Sequence, residues 1–297
     1  CEILDAAIKH LKGRKFELFP DFLTAGMIDV TNYNDGARGG KVRVRARIEE
    51  VDKKSLVIKD VPYGITTSQL VDSILKANDS GKIKIKSVTD NTAKEVELTV
   101  QLAPGVSTNQ TIDALYAFTD CEISISPNAC IIIDDKPHFV GASDLLKHSV
   151  AHTKGLLLRE LEIKLGELNE DWHYSSLEKI FIEKRIYRDI EEQTTWEGVI
   201  KAISDGLKPY IKKFRREITQ DDIVKLTEIR IKRISKYDSF KADELMRDLE
   251  QELKDTLHHL KHLTEYAISY FQGLLDKYGK GRERKTEIKS FQSVTAT

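Results

Sequence analysis

The sequence predicts an α+β protein in which a mixed α/β domain is followed by a long antiparallel coiled coil with a helical knob. Up to about residue 139, short apolar runs alternate with turn residues, which favours strands with interspersed helices. After residue 141 the apolar positions recur at spacings of three and four, the period of an α-helix. The chain has 297 residues, of which 40% are hydrophobic and 32% charged, a composition typical of extended helices with large solvated surfaces.

The pattern changes divide the chain into five segments. An α/β domain covers 1–142 and begins with a short helix at 1–12. An outgoing helix covers 143–174, a helical knob 175–237, a returning helix 238–279 and a tail 280–297. Each long helix carries only a narrow apolar stripe, so we expect the two to pair in an antiparallel coiled coil that buries both stripes. An ordinary helical bundle is the open alternative.

Within the first domain, period-two runs predict strands at 27–30, 41–48, 56–58, 83–85, 95–102 and 129–133. The segment 34–40 is rich in Asn, Asp and Gly and predicts a turn between the first two strands. Two helices are predicted at 69–77 and 109–118, and Thr66 to Ser68 provide the cap of the first. Asp134 and Asp135 predict the turn that ends the last strand.

The strand at 41–48 separates its residues by charge. One face is apolar, and the other carries four cations: Lys41, Arg43, Arg45 and Arg47. Like charges on one face repel, and a nucleic-acid backbone offers a phosphate every ~3.4 Å per strand to neutralise them. The predicted DNA-binding residues are these four and Arg38. Neutralisation by Glu49, Glu50 or another acidic neighbour is the open alternative.

A second segment, 218–238, predicts one helix with Thr219 as its N-cap. Its apolar residues cover more than one stripe, so the helix needs either a local core or a second chain. The predicted dimer contacts are Leu226, Ile229, Arg230, Ile231 and Ile234. A helix buried in its own knob is equally compatible with the pattern.

The sequence contains no pattern typical of a catalytic or metal centre. It lacks a phosphate-binding glycine loop, a nucleophile elbow and a metalloprotease helix. His258, His262 and Glu265 share one helix face, as do His148 and His152, but without a further ligand we expect solvated histidines. No apolar run is long enough for a membrane helix and no secretory signal is present. The spacing of the three cysteines predicts reduced thiols: Cys1, Cys121 and Cys130.

Several motifs in order resemble the A subunit of a bacterial type IIA DNA topoisomerase, and topoisomerase IV more than gyrase. They lie at 21–28 (Asp-Phe-Leu-Thr-Ala-Gly-Met-Ile), 38–46 (Arg-Gly-Gly-Lys followed by alternating Arg), 61–63 (Val-Pro-Tyr), 112–116, Asn128, 229–231 (Ile-Arg-Ile) and 284–288 (Arg-Lys-Thr-Glu-Ile). Leu23 replaces a proline that is usual in the family. The segments 30–33 and 175–217 diverge from the gyrase pattern.

The resemblance implies a fragment of an ATP-dependent DNA topoisomerase, with residues 1–142 as the tower domain and the knob as the exit gate. It implies double-stranded DNA as a partner, a homodimer through the knob and a location in the bacterial cytoplasm at the nucleoid. ATP and magnesium would belong to a B subunit, so no cofactor is expected in this chain. The nucleophilic tyrosine would precede Cys1, so we expect a piece of a longer protein that is inactive alone. The rival hypothesis is a coiled-coil adaptor whose basic strand binds an acidic partner.

Overall fold

A computed structural model describes residues 1–291 and divides into two compact units. The first unit contains Cys1–Ala151 and the chain from Ile268 onward, and the second contains His152–Ala267. Strands and helices are mixed in the first unit, so the predicted α+β class is confirmed. The last six residues of the predicted tail, 292–297, lie outside the described residues.

The strands all belong to the first unit. In chain order they are β1 (Met27–Asp29), β2 (Val42–Arg45), β3 (Ile48–Asp52), β4 (Ser55–Ile58), β5 (Ile85–Asp90), β6 (Leu98–Leu102), β7 (Glu122–Ile125), β8 (Ala129–Ile133), β9 (Lys136–Val140) and β10 (Glu287–Ile288). One sheet has the order β10-β1-β2-β7, a second has the order β3-β4-β6-β5, and β8 with β9 forms a hairpin. Neighbouring strands are antiparallel except β1 and β10, which are parallel.

The α-helices are α1 (Glu2–Leu11), α2 (Thr67–Asp79), α3 (Thr108–Phe118), α4 (Ala142–Glu183), α5 (Trp196–Leu207), α6 (Gln220–Thr227), α7 (Ile231–Ser235), α8 (Ser239–Lys261) and α9 (Leu263–Tyr278). The predicted cap of α2 is confirmed, because the Thr66 hydroxyl accepts a hydrogen bond from the Gln69 amide while the Gln69 side chain accepts one from the Thr66 amide. This reciprocal pair satisfies amide groups that a helix start leaves without partners.

The second sheet shares one core with α2 and α3. Several side chains of this core have no solvent exposure, among them Leu56, Ile58, Leu70, Ile74, Leu98 and Leu115. The first sheet has a separate core around Ile28, Val42 and Val44. The burial of both valines confirms that β2 turns its apolar side inward, as the alternation predicts.

In the second unit α4 and α8 run antiparallel. Lys164 pairs with Glu252 at 3.2 Å, and further along α4 the Trp172 indole donates to Glu250 at 3.3 Å. A contact closer to the C-terminus of α4 is therefore closer to the N-terminus of α8. Apolar contacts fill the space between the two helices, with Leu168 and Leu253 almost fully buried. Such burial stabilises long helices that have only one apolar stripe each.

The structure corrects several predicted boundaries. The outgoing helix predicted at 143–174 is part of α4 and continues to Glu183. The strand predicted at 41–48 is interrupted after Arg45, because β2 and β3 belong to different sheets. The helix predicted at 218–238 is two helices, α6 and α7, separated by a non-helical Arg230. The predicted returning helix is broken at His262, whose backbone angles are φ −117° and ψ 46°. The apolar residues Leu245, Leu257 and Tyr278 of this predicted helix are also exposed.

Candidate nucleic-acid interface

The basic side of β2 begins at a loop whose conformation the backbone fixes. A Cβ on Gly40 would lie 2.1 Å from the Tyr33 carbonyl oxygen, so only glycine fits there. The Lys41 amide then donates to the Asn32 carbonyl at 2.9 Å. These contacts close the loop across its base, so that Arg38 is held at the exposed tip and Lys41 at the start of the strand.

Arg43 and Arg45 emerge on the side of β2 opposite the buried valines, and acids from the neighbouring strands meet them. Arg43 Nη2 donates to Asp29 Oδ2 at 2.8 Å, and Arg45 Nε pairs with Glu122. The strand register explains both pairs, since Asp29 lies directly opposite Arg43 and Glu122 directly opposite Arg45. Opposite charges at facing positions stabilise a sheet.

Two aromatic rings enclose the Arg45 guanidinium. Its central carbon lies 4.5 Å from the ring centroid of Tyr116 and 4.3 Å from that of Phe291. The Phe291 carbonyl also accepts a hydrogen bond of 3.0 Å from Arg43. The exposed fraction is therefore only 12% for the Arg45 side chain and 29% for that of Arg43. Arg45 is a structural residue of this sheet.

Asp29 is the acid around which this face is organised. Burial alone would raise the pKa of its carboxyl group, but hydrogen bonds from Thr31, the Phe291 amide and Arg43 outweigh it and hold the pKa well below its usual range. For Tyr116, burial raises the pKa to about 12, and its hydroxyl donates to the Ala46 carbonyl at 2.8 Å. The acid is therefore ionised and the phenol neutral at neutral pH.

Arg47 is more open than Arg43 and Arg45. Its Nε lies 3.8 Å from Asp60 Oδ2, and its side chain is 40% exposed. Burial raises the pKa of Asp60, and Arg47 only partly opposes that shift. Although the Asp60 side chain is only 13% exposed, the contact is longer than a hydrogen bond, so the partly exposed Arg47 can also reach another anion.

The five predicted DNA-binding residues thus differ in their availability. Neither Arg38 nor Lys41 makes an ion pair with an acid within residues 1–291, and both are exposed. Acidic neighbours do neutralise Arg43, Arg45 and Arg47, as the alternative interpretation expected. The acids are Asp29, Glu122 and Asp60, which are other acidic neighbours rather than Glu49 or Glu50.

Sequence reasoning missed Tyr116, Phe291 and the three acids. The signal for Asp29 and Glu122 is present, because each is an acid within a short apolar strand run, where a charge needs a partner. No local signal identifies Phe291, which comes from a segment far along the chain. That segment is placed by β10 and by Thr286, whose hydroxyl accepts from the Phe22 amide at 2.7 Å.

The second predicted site, 218–238, is divided between the interior and the surface. The cap at Thr219 is confirmed, since its hydroxyl accepts from the Asp222 amide at 3.3 Å. Leu226 is 1% exposed and packs in the core of its own unit, whereas Ile231 is 82% exposed. Ile229 and Ile234 pack partly against that core and Arg230 is exposed. The structure therefore gives Leu226 a role inside the monomer.

Beside this segment lies a polar network in which Asp222 and His173 are buried and Glu170 is exposed. Arg216 donates to Asp222 at 2.7 Å and to Glu170 at 2.8 Å. Burial would raise the pKa of the Asp222 carboxyl group. The hydrogen bonds from Arg216 and Thr219 outweigh that effect and hold the pKa well below its usual range. His173 Nε2 lies 3.4 Å from Asp222 Oδ2, and burial together with the positive charge of Arg216 lowers the pKa of the imidazole. His173 is therefore neutral at neutral pH.

Other classes of site receive little support from the described chain. Within residues 1–291 no group of three or more His, Cys, Asp or Glu side chains is arranged to hold a metal ion. The rings of His258 and His262 lie 4.5 Å apart, and His262 lies 3.9 Å from Glu265 on an exposed surface. In the same part of the chain, every helix is too short or too polar to cross a membrane.

Comparison with known proteins identifies the class. The family model for the A subunit of DNA gyrase/topoisomerase IV matches residues 1–272. The chain therefore belongs to this family of topoisomerase A subunits, and the resemblance of its motifs is confirmed.

Three relatives show how the chain stands within the family. The A subunit of DNA topoisomerase 4 from Borreliella burgdorferi is 37% identical over 98% of this chain and 46% of its own length. The A subunit of DNA gyrase from Brachyspira hyodysenteriae is 23% identical over 96% of this chain and 34% of its own length. The gyrase A subunit of Lawsonia intracellularis is 29% identical over 52% of this chain and 20% of its own length. The chain spans less than half of the length of each.

Proposed function

We propose that this chain is the DNA-binding and dimer-gate part of the A subunit of an ATP-dependent type II DNA topoisomerase. The observation that carries the proposal is the family match over residues 1–272. The 37% identity with the A subunit of a protein named DNA topoisomerase 4 favours that branch of the family. The exposed cations of the first unit supply a surface with the charge that a duplex requires.

Phosphate binding in this proposal depends mainly on Arg38 and Lys41. Both are exposed and carry no acidic partner within residues 1–291, so DNA need not break an existing ion pair to reach them. Arg43 and Arg47 contribute through their partly exposed guanidinium groups, at 29% and 40% exposure. Arg45 serves by holding the sheet, because its guanidinium is already enclosed by rings and by Glu122.

The salt dependence of duplex binding tests this surface. We expect the double variant Arg38→Gln and Lys41→Gln to flatten the slope of log affinity against log salt by about two units, since each phosphate contact contributes about 0.9. The matched control removes two exposed cations at the turn between β3 and β4, Lys53→Gln and Lys54→Gln. The measurement is fluorescence anisotropy of a random-sequence duplex over a series of salt concentrations. Equal slopes for the two variants would refute the assignment.

The same proposal assigns ATP hydrolysis and magnesium to a B subunit, with the cleaving tyrosine outside this chain. Incubation of the chain with supercoiled plasmid, magnesium and ATP should leave DNA topology unchanged on a gel. Nicking or relaxation that co-purifies with the protein would contradict this. The paired helices α4 and α8 would form the coiled coil, and α6 and α7 the exit gate of a homodimer in the bacterial cytoplasm.

The pairing of three predicted cations with protein acids favours a second candidate, an adaptor whose basic surface binds an acidic protein. In the fold, carboxylates already form ion pairs with Arg43, Arg45 and Arg47. Competition separates the two candidates. A DNA-binding surface should release labelled duplex to unlabelled duplex far more readily than to polyglutamate, whereas an acid-binding adaptor should show little preference.

A further inference from the structure

A second basic surface lies in the first unit, where α1 ends. Gly13 adopts φ +68°, a left-handed conformation, and two backbone hydrogen bonds close the helix end around it. The Gly13 amide donates to the His10 carbonyl at 2.9 Å, and the Arg14 amide donates to the Lys9 carbonyl at 2.8 Å. This is the Schellman arrangement, which reverses the chain direction at a helix terminus. It brings Arg14 and the following residue back beside Lys9.

The surface around this turn is strongly cationic. Four residues are exposed and form no ion pair with an acid within residues 1–291: Lys9, Lys12, Arg14 and Lys15. Three of them, Lys9, Arg14 and Lys15, line an open groove of ≈ 900 Å³ together with Lys147 from α4. One acid, Glu17, lies among the lining residues. Lys147 pairs with Asp144 at 2.9 Å, but both side chains are about half exposed, so the pair is weak and exchangeable.

The helix dipole explains only part of this charge. A cation near a helix C-terminus gains about 0.3–1 kcal/mol from the dipole, and the effect fades beyond the last turn. Lys9 and Lys12 lie within that range. Arg14 and Lys15 lie beyond the turn, and Lys147 belongs to a different helix. The groove is thus lined by four cations, Lys9, Arg14, Lys15 and Lys147, and by one acid. Binding of an extended anion accounts for this excess of positive charge better than the helix dipole does.

We propose that this groove binds the phosphate backbone of double-stranded DNA, as a contact separate from Arg38 and Lys41. This inference rests on the proposed DNA-binding function of the chain. Continuity with the first surface supports it. Ser143 in the groove wall donates to Asp35 Oδ1 at 2.9 Å, and Asp35 belongs to the loop that carries Arg38. The loop that carries Arg38 therefore adjoins the wall of the groove.

The test uses the whole 297-residue chain and a random-sequence duplex probe. The groove variant is Lys9→Gln, Arg14→Gln and Lys15→Gln, and its matched control is Lys53→Gln, Lys54→Gln and Lys94→Gln, three exposed lysines elsewhere. We expect the groove variant to flatten the salt slope by between about two and three units and the control to leave it unchanged, because each phosphate contact contributes about 0.9. Circular dichroism should show unchanged folding, since all substituted side chains are exposed.

The outcomes separate this inference from the proposed function. An unchanged slope in the groove variant, with a flattened slope for Arg38→Gln and Lys41→Gln, overturns the groove and leaves the first surface intact. The reverse result supports the groove and overturns the first surface. A wild-type chain without salt-dependent duplex binding overturns both. Polyglutamate that binds the groove as tightly as the duplex overturns DNA as its ligand in favour of an acidic protein.

Discussion

Two regions of this molecule were predicted from periodic patterns to face a partner. In both, the structure encloses within the fold a residue that the pattern assigned to the partner. In β2 the pattern identifies Arg45, and in the segment 218–238 it identifies Leu226. The fold itself uses both residues, because Arg45 lies between two rings and an acid while Leu226 lies in a core. Exposed side chains remain beside them: Arg38 and Lys41 just before β2, and Arg230 and Ile231 at the start of α7. Periodicity therefore locates residues that the fold itself packs, whereas these exposed side chains lie where a regular element begins.

The largest expected effect is a loss of stability in the second unit, and it tests the difference between Leu226 and Ile231. We expect Leu226→Ala to lower the free energy of unfolding by about 2–5 kcal/mol, because it removes a side chain that is 1% exposed. Ile231→Ala, at 82% exposure, should change it by no more than about 0.5 kcal/mol. Urea unfolding followed by tryptophan fluorescence measures both, since Trp172 and Trp196 both lie in this unit. Equal losses would show that the assigned division is wrong.

Ile231 also tests association. Ile231→Glu should weaken self-association by several kcal/mol if Ile231 is buried between two copies, because the charge would lose its hydration without gaining a partner. Sedimentation equilibrium of the wild type and the variant measures this, with Ile211→Glu as a control at another exposed isoleucine of the same unit. A wild type that stays monomeric at high concentration removes the homodimer from the proposal.

A smaller effect sharpens the comparison in the first unit. We expect Arg45→Gln to cost about 2 kcal/mol of stability, because it removes the ring contacts and leaves the partly buried Glu122 with a weaker partner. Lys41→Gln should leave stability unchanged and flatten the salt slope of duplex binding by about one unit. Thermal unfolding by circular dichroism and anisotropy titrations give the two readouts. If the Arg45→Gln variant is as stable as the wild type and flattens the salt slope of duplex binding, Arg45 is a DNA-binding residue and the structural assignment is wrong.

The pH dependence of the second unit tests its interior. Because burial lowers the pKa of His173, the unfolded chain binds the proton more readily, near the ordinary value of 6.5. The stability from the neutral imidazole is therefore present above that value and is lost as the pH falls below it. His173→Gln should remove this loss, which begins as the pH falls below about 6.5, whereas the exposed His138→Gln should preserve it. Urea unfolding at several pH values, read from tryptophan fluorescence, decides between these outcomes.

The smallest expected effect comes from an exposed pair on the second sheet. Lys59 and Glu97 lie 3.2 Å apart, with side chains 40% and 46% exposed. Lys59→Gln should change the free energy of unfolding by less than about 1 kcal/mol, because water and salt screen such pairs. Thermal unfolding at low and high salt measures it. A loss as large as that of Arg45→Gln would mean that exposure does not rank the ion pairs of this domain.

Local chemistry allowed much of the fold to be predicted. The cap at Thr66, the turn at Asp134 and Asp135, and the inward valines of β2 depend on neighbouring residues, so short patterns predict them. The acids that neutralise Arg43 and Arg45 were not predicted, because their pairing depends on the register between strands distant in sequence. The break between α8 and α9 at His262 was not predicted, because no proline or glycine lies at that position. For the candidate site, exposure decided which cations are free, and exposure is a tertiary property.

The return of β10 beside β1 has a consequence for synthesis of the protein on the ribosome. Thr286 and Phe22, which are bonded to each other, are 264 positions apart, and the whole second unit lies between them. At about 5–20 residues per second, roughly 13–50 s separate the emergence of the two partners. During that interval the edge of β1 that will receive β10 has no strand beside it. The sheet that contains β1 is therefore completed only after the whole second unit has been synthesised.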